Sequence, residues 1–374
     1  MQSDLQTRAE PVYWDDQAGV YIVRGYEEAS TVLRSSNYFS SNPNTLGNVF
    51  SETGMDSIIG LTSAVVLMDA PDHTRMRRLI SPAFSPRVIT TLAPQVAEIV
   101  ESILDGLEGK DEADIIADIS RVMPPAVISK MLDVGAEGAD LVRQQAPRLV
   151  RWMELDPTFE DFQAAIEAAM EFDRFLTPII EKRKRDPGDD FLSILVTTDG
   201  LKHEEILSTC FLIFAAGGEA TGRLVGNASL RLLRDRSQIP HLLADPERAV
   251  EELLRVEGTS KRLVRFSAVD HDLGGCQIAK GRLIYINVLE ANKDLRRAPD
   301  ADQLDLSREP LSHLTLGAGP HYCLGAALAR LQTIETLPRL FRRFPGLTLI
   351  NPDPPWNPST TFRGLLELPV RLRG

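Results

Sequence analysis

Cysteine is scarce in this 374-residue chain. Cys210, Cys276 and Cys323 are an odd number, far apart and without a C-x-x-C pair, which argues against a disulfide framework or a four-ligand zinc site. No apolar run reaches the roughly 18 residues of a membrane span, and "MQSDLQTRAEPVYWDDQ" at the start holds no signal-peptide core. An excess of positive charge is missing too: 41 Lys+Arg stand against 53 Asp+Glu, a net charge of -12. That balance supports solubility and disfavours a nucleic-acid surface. The composition leads us to expect a reduced, soluble, cytoplasmic protein with a substantial core, no membrane or nucleic-acid partner, and a small molecule or protein as its partner.

What is present is mostly helix. Residues 19–39 read as a short alternating strand and then a helix, and "SSNPNTLGNVFSETG" as a loop. From Pro71 to about Arg236 apolar residues recur every three or four positions, with connections at "RDPGDD" and "TTDG". Residues 262–290 switch to short β-rich runs broken by Gly-Gly and Lys-Gly, and the segment after Pro352 is proline-rich and then strand-like. No repeat, linker or composition break divides the chain. The expected class is mainly α with a small β region.

One of the three cysteines sits in "HLTLGAGPHYCLGAALARLQ", residues 313–332. Gly317 and Gly319 permit backbone angles closed to other residues, and Pro320 stiffens the turn, so the chain can pass close to a flat, bulky group. The following helix is expected to start at about Cys323 or Leu324, aiming its first amides at the sulfur and favouring the thiolate. A thiolate is a metal ligand or a nucleophile, while a free cysteine capping a core helix is the plainer alternative.

"LGAGPHYCLG" resembles the heme-ligand signature of the cytochrome P450 family of heme-thiolate monooxygenases, F-G-x-G-x-H-x-C-x-G. Gly317, Gly319, His321, Cys323 and Gly325 match, and Leu316 stands where the pattern has an aromatic residue. The resemblance covers nearly the whole chain. It implies a single domain over 1–374: a β-rich N-terminal part and substrate loop (21–70), a helical core (71–260), a small sheet region (261–310), then the heme-ligand loop, final helix and C-terminal strands (311–374). It also implies a trimmed N-terminal helix and heme b, with iron held by Cys323, whose thiolate pushes electron density onto the metal.

Other motifs follow in the family's order. Glu252 and Arg255, three apart on a helix, match its E-x-x-R pair; such pairs are commonplace on solvated helices, but the resemblance expects this one buried. His73 and Arg77 match its H-x-x-x-R helix, otherwise readable as a basic surface. With Arg265 and His321 they are the expected partners of the heme propionates, since a buried dianion needs neutralising.

"HEEILSTCFLIFAAGGEATGRLVGNASLRLLRDR" reads as one helix of roughly 34 residues, about 50 Å long. Gly217 and Gly218 each cost it about 1 kcal/mol relative to Ala, which suggests a flat ligand at the backbone or an opened hydrogen-bond ladder, with a helix-packing notch as the alternative. The family pattern here is A-G-x-(D/E)-T-T, an acid and an alcohol that deliver protons during oxygen activation. Ala216 and Glu219 match, but Ala220 replaces the alcohol, and Thr221 is rotated by about 100°.

The resemblance therefore implies an oxygen-activating oxidoreductase acting on a hydrophobic small molecule, in specialised-metabolite or antibiotic biosynthesis. A peroxide-driven, oxidative-coupling or aromatising enzyme, and a non-catalytic heme protein, are the alternatives raised by Ala220; a cysteine hydrolase using Cys323 and His321 is the outsider. The implied pocket draws on Asn42 to Val66, Leu149 to Phe162, Phe211, Leu212, Ala215, Leu263, Val264 and Phe362. Electrons are expected from separate ferredoxin or flavoprotein donors docking near Cys323, to a monomer.

Overall fold

A mixed sheet forms one wall of the protein, and a helix bundle packs beside it. The computed structural model describes residues 10–46, 63–154 and 157–373; residues 47–62 and 155–156 of the expected pocket segments lie outside these. The sheet runs Val12–Asp15, Val20–Val23, Leu283–Asn287, Arg262–Ser267, Phe39–Ser40. The Val20–Val23 strand pairs parallel with Leu283–Asn287, and the other neighbours are antiparallel. Val23, Ile284 and Ile286 face one apolar cluster that includes Leu314 and Ala318, while Ile22 and Tyr285 face the other. Arg262–Ser267 alternates in the same way, so Leu263 and Arg265 share the first face.

The helices owe their positions to amphipathic stripes. In Phe159–Arg185, Ala165, Ala168, Phe172, Leu176 and Ile180 recur at three- and four-residue spacing and are buried. A capping box between Thr158 and Asp161 starts this helix, and four basic residues close its last turn. The central helix, His203–Arg234, is 32 residues long and packs against Met123–Leu132, Gly135–Leu149 and the C-terminal helix Ala326–Arg343.

Its glycines are packing notches, which corrects the ligand-contact expectation. A Cβ on Gly217 would lie 2.8 Å from Ile128 Cδ1, and one on Gly218 2.8 Å from Val142 Cγ1. At Gly222 it would come within 2.0 Å of the Ser120 carbonyl. That carbonyl ends Ile115–Ser120, a π-helical turn laid across the central helix. Among the described residues no helix is long and apolar enough to cross a membrane.

Candidate heme site and its walls

The cysteine loop is fixed from three sides before its chemistry is considered. Gly317 and Gly319 adopt φ of 72° and 66°, a region only glycine enters at little cost. Gly319 also lies so close to the helix Tyr26–Arg34 that a Cβ would sit 2.5 Å from the Leu33 carbonyl. The Cys323 amide donates to the Leu316 carbonyl at 2.7 Å, closing the loop. The helix after it begins at Ala326, with Gly325 as its cap. It therefore starts later than the Cys323 or Leu324 expected, and Leu324 and Gly325 make a turn that leaves Cys323 in the loop. Leu316, in the aromatic position, packs with Leu224, Val250 and Leu254.

Burial raises the pKa of the Cys323 thiol, while the Gly325 amide, Arg77 and Arg330 act to lower it. Arg330 is itself braced: its Nη2 donates to Glu251 Oε2 at 2.9 Å and its Nη1 to the Tyr322 hydroxyl at 3.0 Å. Burial acts to raise Glu251, but hydrogen bonds from Arg330 and His313 win and hold it at about 2. Arg77 Nη2 donates to the Tyr322 carbonyl at 2.8 Å.

Glu252 and Arg255 lie beneath this loop and are buried, with Arg255 at 0% exposure. Both guanidinium contacts to Glu252 measure 2.7 Å. The same side chain donates to the carbonyls of Asn292 (2.8 Å), Gln303 (2.9 Å) and Ala301. A buried charge pair needs such completion to avoid a net cost.

Above the loop the structure gathers His73, Arg77, Arg265 and His321. The two imidazole rings are 4.0 Å apart, and the His73 Nε2 is buried with no hydrogen-bond partner among the described residues. Burial lowers the pKa of Arg265 to about 10, opposed only by Asp69. Asp69 is already engaged by the Ser40 hydroxyl and the Ser41 amide. His321 falls to about 3 through burial and the charges of Arg265, His73 and Arg77. His73 and Arg77 are lowered as well, each chiefly by burial. Four crowded nitrogenous groups with one occupied carboxylate nearby are a receptor for a dianion. A heme fits this chemistry: two propionates would complete the cluster, and the Cys323 thiolate would hold the iron. His321 turns to His73 and bonds the Met68 main chain, so it forms no nucleophile–base pair with Cys323.

The opposite wall is the central helix. Ala216 is exposed at its middle, and Leu212, Ala215, Glu219, Ala220 and Arg223 are only partly buried, at helical spacing. Gly218, Thr221 and Gly222 lie on the buried side. Thr221 is thus turned into the protein. Phe211, expected at the pocket, belongs to the core, its ring 6.1 Å from that of Phe172. Val264 is also corrected: 37% exposed, it takes the sheet face away from Leu263 and Arg265. Glu219 is tied to Arg223 at 2.5 Å, and that guanidinium lies 5.9 Å from the centre of the Phe362 ring.

Several contributors escaped the sequence reading. Glu154 collects the Thr360 amide and hydroxyl, both at 2.7 Å, the Thr361 amide at 3.2 Å and the Ser359 hydroxyl, tying the segment before Phe159 to the C-terminal loop. Lys261 donates to the Ser359 carbonyl at 2.5 Å. The sequence signal for Lys261 was its even spacing from Leu263 and Arg265; Glu154, Asp69 and Glu251 carried none.

A thiol loop under a dianion receptor, facing an uncovered helix stripe, defines a heme-thiolate oxygenase. The cytochrome P450 family model matches residues 222–371. The chain is 34% identical to cytochrome P450 CYP107DY1 of Priestia megaterium, over 95% of this chain and 91% of that protein. It is 31% identical to the 6-deoxyerythronolide B hydroxylase of Saccharopolyspora erythraea, over 95% and 90%. Among solved structures it resembles CxnD, the cytochrome P450 enzyme for C-S bond formation in chuangxinmycin biosynthesis, with a TM-score of 0.89, 30% identity, and coverage of 99% and 93%. This chain belongs to the cytochrome P450 family. It has the mainly α P450 fold, binds heme, and is a monooxygenase that oxidises small molecules with electrons from separate redox partners.

Proposed function

We propose that the chain oxidises a hydrophobic small molecule of specialised metabolism in the chamber between the Cys323 loop and the central helix. The carrying observation is the convergence of a buried thiol with two guanidinium groups, Arg77 and Arg265, and the His73 and His321 imidazoles, beside the uncovered stripe at Ala216. When bound, the heme supplies oxygen activation at its iron. His73, Arg77, Arg265 and His321 would hold its propionates, while Gly317 and Gly319 let the loop approach and Gly325 donates an amide toward the sulfur. Cys323 would hold the heme iron through its thiolate, and Glu252 and Arg255 brace the surrounding fold. Leu212, Ala215, Ala216, Leu263 and Phe362 exclude water from the apolar part of the substrate. The relatives' names, a polyketide biosynthesis cytochrome P450 of Bacillus subtilis among them, support the metabolic role.

Glu219 lines the route of proton delivery, with its carboxylate held by Arg223 Nε and Nη2. Ala220 presents no hydroxyl beside it, so water or a hydroxyl of the substrate completes the route. Oxidative bond formation is the second reading, favoured by Ala220 and supported by the likeness to CxnD, which forms a C-S bond. The protein works as a cytoplasmic monomer, with a ferredoxin or flavoprotein docking near Cys323. The test is the absorption spectrum of the reduced carbon monoxide complex. A far-red main band that vanishes in Cys323→Ser is expected, and its absence from heme-loaded protein, or its persistence in the variant, refutes the assignment.

A further inference from the structure

The chamber has a charged end that the oxidation chemistry does not use. Lys261 immediately precedes the strand Arg262–Ser267 and already follows the sheet. Its carbonyl accepts from the Val288 amide at 3.1 Å, next to the Arg262–Asn287 pair, and its amide donates to the Thr361 carbonyl at 2.9 Å. Alternation along an extended chain puts Lys261, Leu263 and Arg265 on one face. Leu263 packs with the apolar cluster that contains Leu314 and Ala318 of the cysteine loop. Lys261 thus stands about 13 Å along that face from Arg265, at ~3.3 Å per residue. From the central helix, Arg223 reaches the same end, above the Phe362 ring.

Two of the neighbouring cations have carboxylates of their own. Arg223 pairs with Glu219 at 2.5 Å and Arg363 with Glu257 at 2.6 Å. Arg262 lies over the Tyr285 ring on the other face. Lys261 likewise forms no salt bridge among the described residues; its ammonium has the Ser359 carbonyl. The carboxylate that acts on it from a distance, Glu154, already takes four bonds from Ser359, Thr360 and Thr361. Burial lowers the pKa of Lys261, and Arg262, Arg363 and Arg223 lower it further. An ammonium has three donors. One partly buried among like charges is a costly arrangement that an anionic ligand would relieve.

We propose that Lys261 anchors a carboxylate at the far end of an otherwise apolar substrate, whose body lies along Leu263, Phe362 and the Ala216–Ala220 surface. The anchor rests on the oxygenase reading of the same chamber. A single unpaired cation suits a monoanion better than a phosphate dianion.

The test is calorimetric titration of the heme-loaded enzyme with dodecanoate and with methyl dodecanoate. A preference for the acid of about tenfold, equivalent to ~1.4 kcal/mol, is expected. Lys261→Met should abolish that preference while sparing the ester, and Lys261→Arg should keep it. Equal affinity for acid and ester in the native enzyme, no binding of dodecanoate, or an equal loss of both ligands in Lys261→Met overturns the anchor. The native acid–ester comparison decides even if the methionine variant does not fold. The reduced carbon monoxide spectrum of the same samples separates the two failures. A far-red band without acid preference removes only the anchor, whereas a missing band removes the oxygenase reading beneath it.

Discussion

The two walls of the heme chamber are built on opposite terms. On the cysteine side the polar groups near the sulfur are engaged: Arg77 and Arg330 on Tyr322, Arg330 on Glu251, and Arg255 on Glu252 and three carbonyls. On the central-helix side the surface is small and apolar, and the Glu219–Arg223 ion pair there lies within the helix itself. A wall whose hydrogen bonds are closed on themselves specifies one cofactor. A wall made of Ala216, Ala220 and Leu212 specifies volume, and so leaves the substrate to shape and to the charges at its margin.

Substitutions can break that contrast, beginning with Cys323→Ser, which should abolish the far-red band and product formation together. Next is Arg255→Met. Removing one partner of a buried pair costs about 3–5 kcal/mol, so the urea midpoint should fall far enough to compromise heme loading. If the midpoint barely moves, the closed wall is not what stabilises this region.

Gly222→Ala tests the other wall from behind. A methyl 2.0 Å from the Ser120 carbonyl should cost about 1–3 kcal/mol by overpacking, read as a lower melting temperature with the carbon monoxide spectrum retained. Ala220→Thr should leave stability nearly unchanged and act on proton delivery. If Ala220 is a gap in the relay, product formed per electron consumed rises several-fold; a fall means that the substrate or water fills that place.

The smallest effect concerns acid. Glu251 has a folded pKa of about 2 against a usual value of 4.5, so its stabilisation is complete above about 4.5 and is lost as pH falls from there through about 2. Glu251→Gln should flatten the stability–pH curve in that window and leave it unchanged in slope at neutral pH. Acid titrations of both proteins by circular dichroism measure this.

Legibility in the sequence followed the range of the interactions. The cysteine loop, Glu252 with Arg255, and His73 with Arg77 were readable because each is a local pattern. Gly217 and Gly218 were misread because Ile128 and Val142, which need their missing side chains, are far away in the chain. Phe211 was misplaced because its helix is apolar on several sides, and periodicity then selects no face. Val264 could have been assigned correctly, since alternation with Arg265 already separated the two.

Arg255 carries a consequence beyond charge. Residues 292–303 contain turns but no helix or strand, yet the carbonyls of Asn292, Ala301 and Gln303 all end on that one guanidinium. The side chain does for this stretch what a neighbouring strand does in a sheet. Both ends of a dozen-residue span are therefore held from one remote position, while the Tyr26 amide on Asp294 and Arg297 on the Ser312 carbonyl pin its middle, so loss of Arg255 would free the ends first.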